Sequence, residues 1–239
     1  MKWSYALGRF RGLPQILGAC LIAWASFSHS SFSVNNIQTG GSVRGRVRIE
    51  SKIQSKSMAL NLYSRRGISS GSSQSQPPIN ELENVVLYLE GQFTDPFDPS
   101  AKNPMILQTD ETFVPHVLPI IRGTTVNFPN ADPFFHNVFS LSSAKSFDLG
   151  RYPKKQVRSV RFDRAGIVKV FCHIHSHMSA VVLVFDHRYF TQADAAGGFR
   201  IEAIPPGAYE LVAWHERLKP QKKPLIVGSG TEVRVDLVL

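Results

Sequence analysis

Cysteine is nearly absent from this chain. Cys20 and Cys172 are the only two in 239 residues, too few for a disulfide framework. Long apolar runs are also scarce: the one extended stretch covers residues 16–24, which leaves little room for a polytopic helical membrane protein. Acidic residues are outnumbered, 18 Asp and Glu against 27 Lys and Arg, for a net charge of +9. Helical periodicity is hard to find after the N-terminus. The chain is nonetheless 43% hydrophobic and 19% charged, so it can bury a core and is not disordered overall. Its length allows one large or two small domains.

The first 25 residues read as an export signal. Lys2, Arg9 and Arg11 precede the apolar run, and Ala23-Trp24-Ala25 fits a small-x-small cleavage site. The run is short for a membrane-spanning helix, which needs about 20 residues. Two alternatives keep the chain at a membrane: an uncleaved anchor, or lipidation at Cys20, where Leu17-Gly18-Ala19-Cys20 loosely resembles a lipoprotein box. Each places the folded part outside the cytoplasm, and the expected location is the periplasm. Export argues against a nucleic-acid partner. It also leaves Cys172 as a lone thiol in an oxidising compartment, a liability unless it is buried or holds a metal.

The positive charge is unevenly placed. Residues 142–170 carry Lys145, Arg151, Lys154, Lys155, Arg158, Arg161, Arg164 and Lys169 against only Asp148 and Asp163. This is either a solvated strand face or a basic rim that steers an acidic partner.

Period-two alternation is frequent. Val43, Gly45, Val47 and Ile49 alternate with three arginines, and Thr124, Val126 and Phe128 alternate up to Pro129-Asn130. Arg158, Val160 and Phe162 follow the same rule, as do Val233, Val235, Leu237 and Leu239. Residues 180–185 are continuously apolar, which predicts a strand covered on both faces. Proline and glycine pairs punctuate these runs. The pattern predicts an all-β chain of sandwich type. Residues 64–80, rich in serine, glycine and proline, read as a mobile loop, and 94–104 as a connection between modules.

The informative segment is Phe171-Cys172-His173-Ile174-His175-Ser176-His177-Met178. A trigonal copper site takes one thiolate, two imidazoles and a weak axial ligand, often a thioether. Cys172, His175 and Met178 supply three of these at C-x-x-H-x-x-M spacing, and His136, thirty-six residues upstream of the cysteine, is the candidate fourth. Two other readings stand beside this one. The cysteine could be a buried thiol, and the His-x-His-x-His run could chelate zinc or copper(II) along a strand.

The pattern F-x-x-x-G-x-x-x-V-x-C over 162–172, the loop C-x-x-H-x-x-M and the upstream His136-Asn137-Val138 resemble a cupredoxin, a small blue copper protein. The loop spacing is that of amicyanin, and the stretch from Asn127 to Met178 also resembles plastocyanin-like and methylamine utilisation proteins. The resemblance implies a Greek-key β-sandwich over 103–187 holding one type 1 copper. In it His136, Cys172 and His175 form the trigonal plane, Met178 lies on the axis, and Asn137 braces the two ligand loops. His173 and His177 depart from that pattern and are expected to be partly exposed non-ligands. His116, His187 and His215 are expected to be structural. Cys172-His173-Ile174 also resembles the segment of multicopper oxidases that reaches a trinuclear centre, but too few upstream histidines are present to build one.

The flanks resemble a second family. Gly197-Gly198-Phe199-Arg200-Ile201, then Pro205-Pro206-Gly207-Ala208-Tyr209-Glu210-Leu211 and a final alternating strand, are similar to the carboxypeptidase regulatory-like, transthyretin-type β-sandwich. Its opening strands are expected within 42–93 and its remainder within 191–239, with the copper domain between the two halves. No nucleophile–base pair belongs to this module, and its expected role is structural or in recognition. The whole then reads as a single-electron carrier and not an enzyme. Its redox partner is expected to be acidic, a dehydrogenase or c-type cytochrome. Membrane association is expected only if the N-terminal segment is retained or lipidated. The alternatives are a copper storage or delivery protein and a zinc- or copper(II)-binding recognition module.

Overall fold

The structure is a computed structural model that describes residues 40–51, 80–94 and 103–239. The expected export signal with Cys20, the serine-rich loop up to Ile79, and positions 95–102 of the connection lie outside the described residues. The described strands belong to one compact unit, Gln38–Leu239.

Strand β1 (Gly41–Arg48) is followed by a single 3-10 turn, Glu81–Asn84, and by β2 (Val86–Glu90). Asn80 starts that turn by accepting the Leu82 N–H on its side chain at 3.2 Å. Next come the short hairpin β3 (Leu107–Thr109) and β4 (Thr112–Val114), then β5 (Val117–Ile121) and β6 (Thr125–Pro129). The middle of the chain supplies β7 (His136–Ser142), β8 (Lys145–Tyr152), β9 (Val157–Arg161), β10 (Gly166–Phe171) and β11 (Ser179–Phe185). The C-terminal part supplies β12 (Phe190–Gln192), β13 (Gly198–Ile204), β14 (Gly207–Trp214), β15 (Gln221–Val227), β16 (Glu232–Arg234) and β17 (Leu237–Val238). The chain is all-β, as its alternation predicts.

Two cores organise these strands. In the first, the mixed sheet β5-β11-β10-β7-β8 faces the β6–β9 pair and the β3–β4 hairpin. Phe128, Val138, Tyr152, Phe162, Val168, Val170 and Val182 fill the space between them. In the second, sheet β13-β1-β16, extended by β17, faces sheet β12-β2-β14-β15. Its core holds Val43, Val47, Leu87, Leu89, Phe199, Ile201, Leu211 and Leu225. Each inward residue is the alternate member of its strand, because successive side chains point to opposite faces. Fully burying one such side chain contributes about 1.5–3 kcal/mol.

The unbroken apolar run of β11 now has a physical account. Ala180, Val182 and Val184 enter the first core. Val181 and Leu183, on the opposite face, pack with Val86 and Val117 in a third small cluster. One strand therefore serves both the first core and its joint with the flanking strands. Polar contacts cross the same joint: His116 Nε2 lies 2.9 Å from Glu216 Oε2, and Gln192 donates to the Val117 carbonyl at 2.9 Å.

One sequence expectation is corrected. The alternating run 233–239 is not one strand but two short ones, both parallel to β1. Between them the Val235 carbonyl presses against Gly45, where a Cβ would lie 1.7 Å from the oxygen. Glycine at that point permits the close approach, and the pairing breaks and resumes around it.

Candidate metal centre

The loop at 172–178 is the whole connection of the β10–β11 hairpin, closed by the pair Phe171–Ser179. It is held by two backbone bonds: Met178 N–H donates to the His175 carbonyl at 3.0 Å and Cys172 N–H to the Met178 carbonyl at 3.4 Å. His136 opens β7, which pairs with β10 through Phe139 and Phe171. Neighbouring strands thus bring residues far apart in sequence to one end of the sandwich.

There His136, Cys172 and His175 converge, their donor atoms mutually within 4.8 Å. His136 Nδ1 lies 3.1 Å from His175 Nδ1. Cys172 Sγ lies 4.0 Å from His136 Nδ1 and 3.8 Å from His175 Nδ1. A metal centred among two imidazoles at about 2.0–2.1 Å and a thiolate at about 2.3 Å implies edges of roughly 3.5 and 3.8 Å. The triangle fits such an ion to within a few tenths of an ångström, and one thiolate with two imidazoles is the donor chemistry that copper takes. His136 and Cys172 are buried, and the His175 side chain is 18% exposed. Met178 is buried in the same core cluster as Cys172, at the end of the same loop.

Sequence reasoning missed Asp132. Its buried carboxylate accepts from His136 Nε2 at 2.7 Å and from the N–H groups of Asp110 and Glu111 at 2.8 and 3.0 Å. The first contact assigns the imidazole proton to Nε2 and leaves the Nδ1 lone pair facing Cys172. That is how an outer partner orients a metal-binding histidine. Burial opposes ionisation of Asp132, but the bonds from His136 and the two amides outweigh it and hold the carboxyl below its ordinary value. Asp132 lies four residues before His136, and this local spacing was the signal available.

The same carboxylate ties the β3–β4 turn over the site. Asp110 and Glu111 both adopt left-handed backbone, φ 51° and 52°, which costs energy at a residue with a Cβ. Glu111 is thereby aimed at the histidine loop, with His177 Nε2 at 3.2 Å and His175 Nε2 at 4.0 Å. His173 and His177 stand outside the donor triangle, their side chains 54% and 55% exposed. His173 stacks on Phe139 with ring centroids 3.7 Å apart. Asn137 spans the two ligand segments: its Oδ1 receives the His173 N–H at 3.4 Å and its Nδ2 donates to Asp148 at 2.7 Å.

Beneath the site Gln108 Nε2 donates to the Tyr152 hydroxyl at 2.6 Å, and that hydroxyl donates to the Phe128 carbonyl at 2.9 Å. Burial pushes the Tyr152 hydroxyl well above its ordinary ionisation range. At the surface, Phe134 lies 5.3 Å from the His136 ring and 5.7 Å from the His175 ring. Phe134, Phe135 and Ile174 are exposed and form the apolar border of the centre.

The basic stretch divides into two halves. Lys145 and Arg161 engage Asp163, Lys169 lies 3.9 Å from Glu216, and Arg158 contacts the Leu149 carbonyl and covers the Tyr152 ring. Among the described residues, Arg151, Lys154, Lys155 and Arg164 have no acidic partner. Arg151 pairs across the sheet with Asn137, and Lys155 donates its N–H to the Asn130 carbonyl while the Asn130 side chain donates to the Phe134 carbonyl. Arg151 and Lys155 therefore border the ligand end.

No family model and no curated protein matches the chain. Among solved structures, part of the chain is similar to a reduced amicyanin variant, with a TM-score of 0.34, 21% identity, and coverage of 37% of this chain and 92% of that one. A purple cupredoxin from Nitrosopumilus maritimus gives 0.32, 23%, 35% and 100% on the same measures. A copper-containing nitrite reductase from Thermus scotoductus SA-01 gives 0.35 and 22%, covering 38% of this chain. The match spans only 26% of that reductase.

Proposed function

We propose that the chain binds one copper ion through His136, Cys172 and His175, with Met178 as the candidate fourth ligand, and serves as a single-electron carrier in the periplasm. The observation that carries this reading is the convergence of one thiol and two imidazoles, one of them braced from outside by Asp132, on a space that fits one ion. Copper bound there supplies a one-electron couple. The protein's part is to keep the donors fixed: His136 through Asp132, Cys172 through its burial, and His175 through the closed hairpin loop. Fixed ligands limit rearrangement between oxidation states. Phe134 and Phe135 offer an apolar contact for a redox partner, and Arg151, Lys154 and Lys155 favour an acidic one, with association speeded by charge and screened over about 8 Å at physiological ionic strength. In this reading residues 103–187 are a copper sandwich set into a split second sandwich formed by the flanking strands.

Copper stoichiometry together with the visible spectrum tests the assignment. Protein loaded with one copper should be intensely coloured from the thiolate, and Cys172→Ser should abolish that colour. A colourless protein at full copper loading would refute it. Charge reversal at Arg151, Lys154 and Lys155 should slow association and leave the spectrum unchanged. A second reading, copper storage or delivery, draws on Glu111 and His177 beside His175. More than one copper per chain, with transfer but no reversible redox wave, would favour it.

A further inference from the structure

The outer face of sheet β13-β1-β16 is strongly basic. Arg44, Arg46 and Arg48 are the outward members of β1, and Arg200 and Arg234 stand on the strands to either side. Register aligns Arg200, Arg44 and Arg234 in one row across three strands. Neighbouring strands are about 4.8 Å apart, and like charges placed directly opposite destabilise a sheet. Glu232 relieves part of this, meeting Arg44 at 2.6 Å and Arg200 at 2.8 Å, while Glu202 also meets Arg200. Among the described residues Arg46, Arg48 and Arg234 have no acidic side-chain partner.

The arginines do not stand on a flat sheet. They border a concave groove of about 730 Å³, within the range of roughly 300–1,000 Å³ found for ligand sites. Gly198 lies opposite Arg46, and the Asp194 carboxylate occupies the space a Cβ would take there. Two acids line the groove, and both are engaged by backbone. Asp194 accepts the N–H groups of Ala196 and Gly198, and Asp236 accepts that of Arg46. The remaining guanidinium groups are planar forks suited to pair with carboxylates in two-point contacts.

We propose that this groove binds an extended acidic peptide segment of a partner protein, with carboxylates at alternate residues. The spacing selects that occupant. Arg44, Arg46 and Arg48 repeat every second residue of a strand, about 6.8 Å. An extended peptide lying along β1 presents alternate side chains at the same interval, so successive carboxylates meet Arg46 and Arg48 without either backbone bending, while Arg44 stays with Glu232. Arg234 and Arg200 close the two sides. This surface belongs to the flanking sandwich, so its occupancy and the copper assignment stand or fall separately.

The test uses the full chain and fluorescence anisotropy with two labelled synthetic peptides of identical composition, one alternating glutamate with threonine and one with the glutamates in a block. The alternating peptide should bind several-fold more tightly, and its affinity should fall as salt rises. Combined Arg46→Gln, Arg48→Gln and Arg234→Gln should weaken it roughly tenfold or more, since three charge-assisted contacts are lost. Lysine at the same three positions should restore only part of the loss, because the fork is gone while the charge remains. These side chains are exposed, and an unchanged circular dichroism spectrum checks that the fold survives. Equal affinity for the two peptides, binding indifferent to the substitutions, or no binding would overturn the proposal. So would preferential binding of an acidic polysaccharide or of inorganic polyphosphate in competition.

Discussion

Removing the Asp132 carboxylate separates the bracing of the candidate metal centre from its candidate ligands. In Asp132→Ala three donors lose their acceptor: His136 Nε2 and the N–H groups of Asp110 and Glu111. They do not lose equally. Asp110 is exposed and Glu111 half-buried, so water replaces the carboxylate there and each bond costs about 0.5–1.5 kcal/mol. The His136 ring is fully buried, and an unsatisfied donor in that setting costs about 1–3 kcal/mol. Together the variant should lose about 2–6 kcal/mol of stability, with the left-handed turn at Asp110 and Glu111 no longer held. The imidazole is then free to turn, and loss of such an outer partner lowers metal affinity by about 10–100-fold. Denaturant unfolding of the metal-free protein and copper titration against a competing chelator measure the two effects. Asp132→Asn keeps one acceptor and should fall between wild type and alanine in both. A loss under about 1 kcal/mol with unchanged copper affinity would refute the reasoning, because the Asp132 contacts would then orient nothing.

Other outcomes follow from the same structure. Gly45→Ala should destabilise the flanking sandwich by roughly 1–3 kcal/mol, since its Cβ would meet the Val235 carbonyl oxygen at 1.7 Å, while the copper spectrum stays unchanged. Met178→Leu, close in volume, should cost less than about 1.5 kcal/mol, keep the colour and shift the potential measured by voltammetry. The His116–Glu216 pair should make the joint between the sandwiches pH-dependent. Its bond to Glu216 raises His116 above its ordinary 6.5, and the same bond holds Glu216 below its ordinary 4.5. The His116 contribution is complete below 6.5 and disappears as pH rises through the raised value, whereas the Glu216 contribution is complete above 4.5 and disappears as pH falls through the lowered one. Thermal unfolding should therefore show the pair's full contribution between about pH 4.5 and 6.5, with a decline on the alkaline side that Glu216→Gln removes.

What could be read from the sequence was local. Alternation identifies strands because side-chain period depends only on backbone geometry, and it correctly marks β6, β9 and the inward residues of β1. The unbroken run at 180–185 announces a strand buried on two faces for the same reason. Cys172, His175 and Met178 lie within one hairpin loop, so their spacing alone proposes a chelate. Tertiary structure decided everything that depends on which strands become neighbours. Pairing of β7 with β10 brings His136 to Cys172, and the β3–β4 turn is tied to the site by Asp132, which captures its amides. The split of 233–239 into two strands follows from the close approach at Gly45, which no pattern within that run encodes. The arginines of β1 are visible as alternation, but their alignment with Arg200 and Arg234 is a matter of register between strands some 150 residues or more apart in the chain. Register is set by burying one face of each strand. The buried valines of β1 thus determine where its exposed arginines stand.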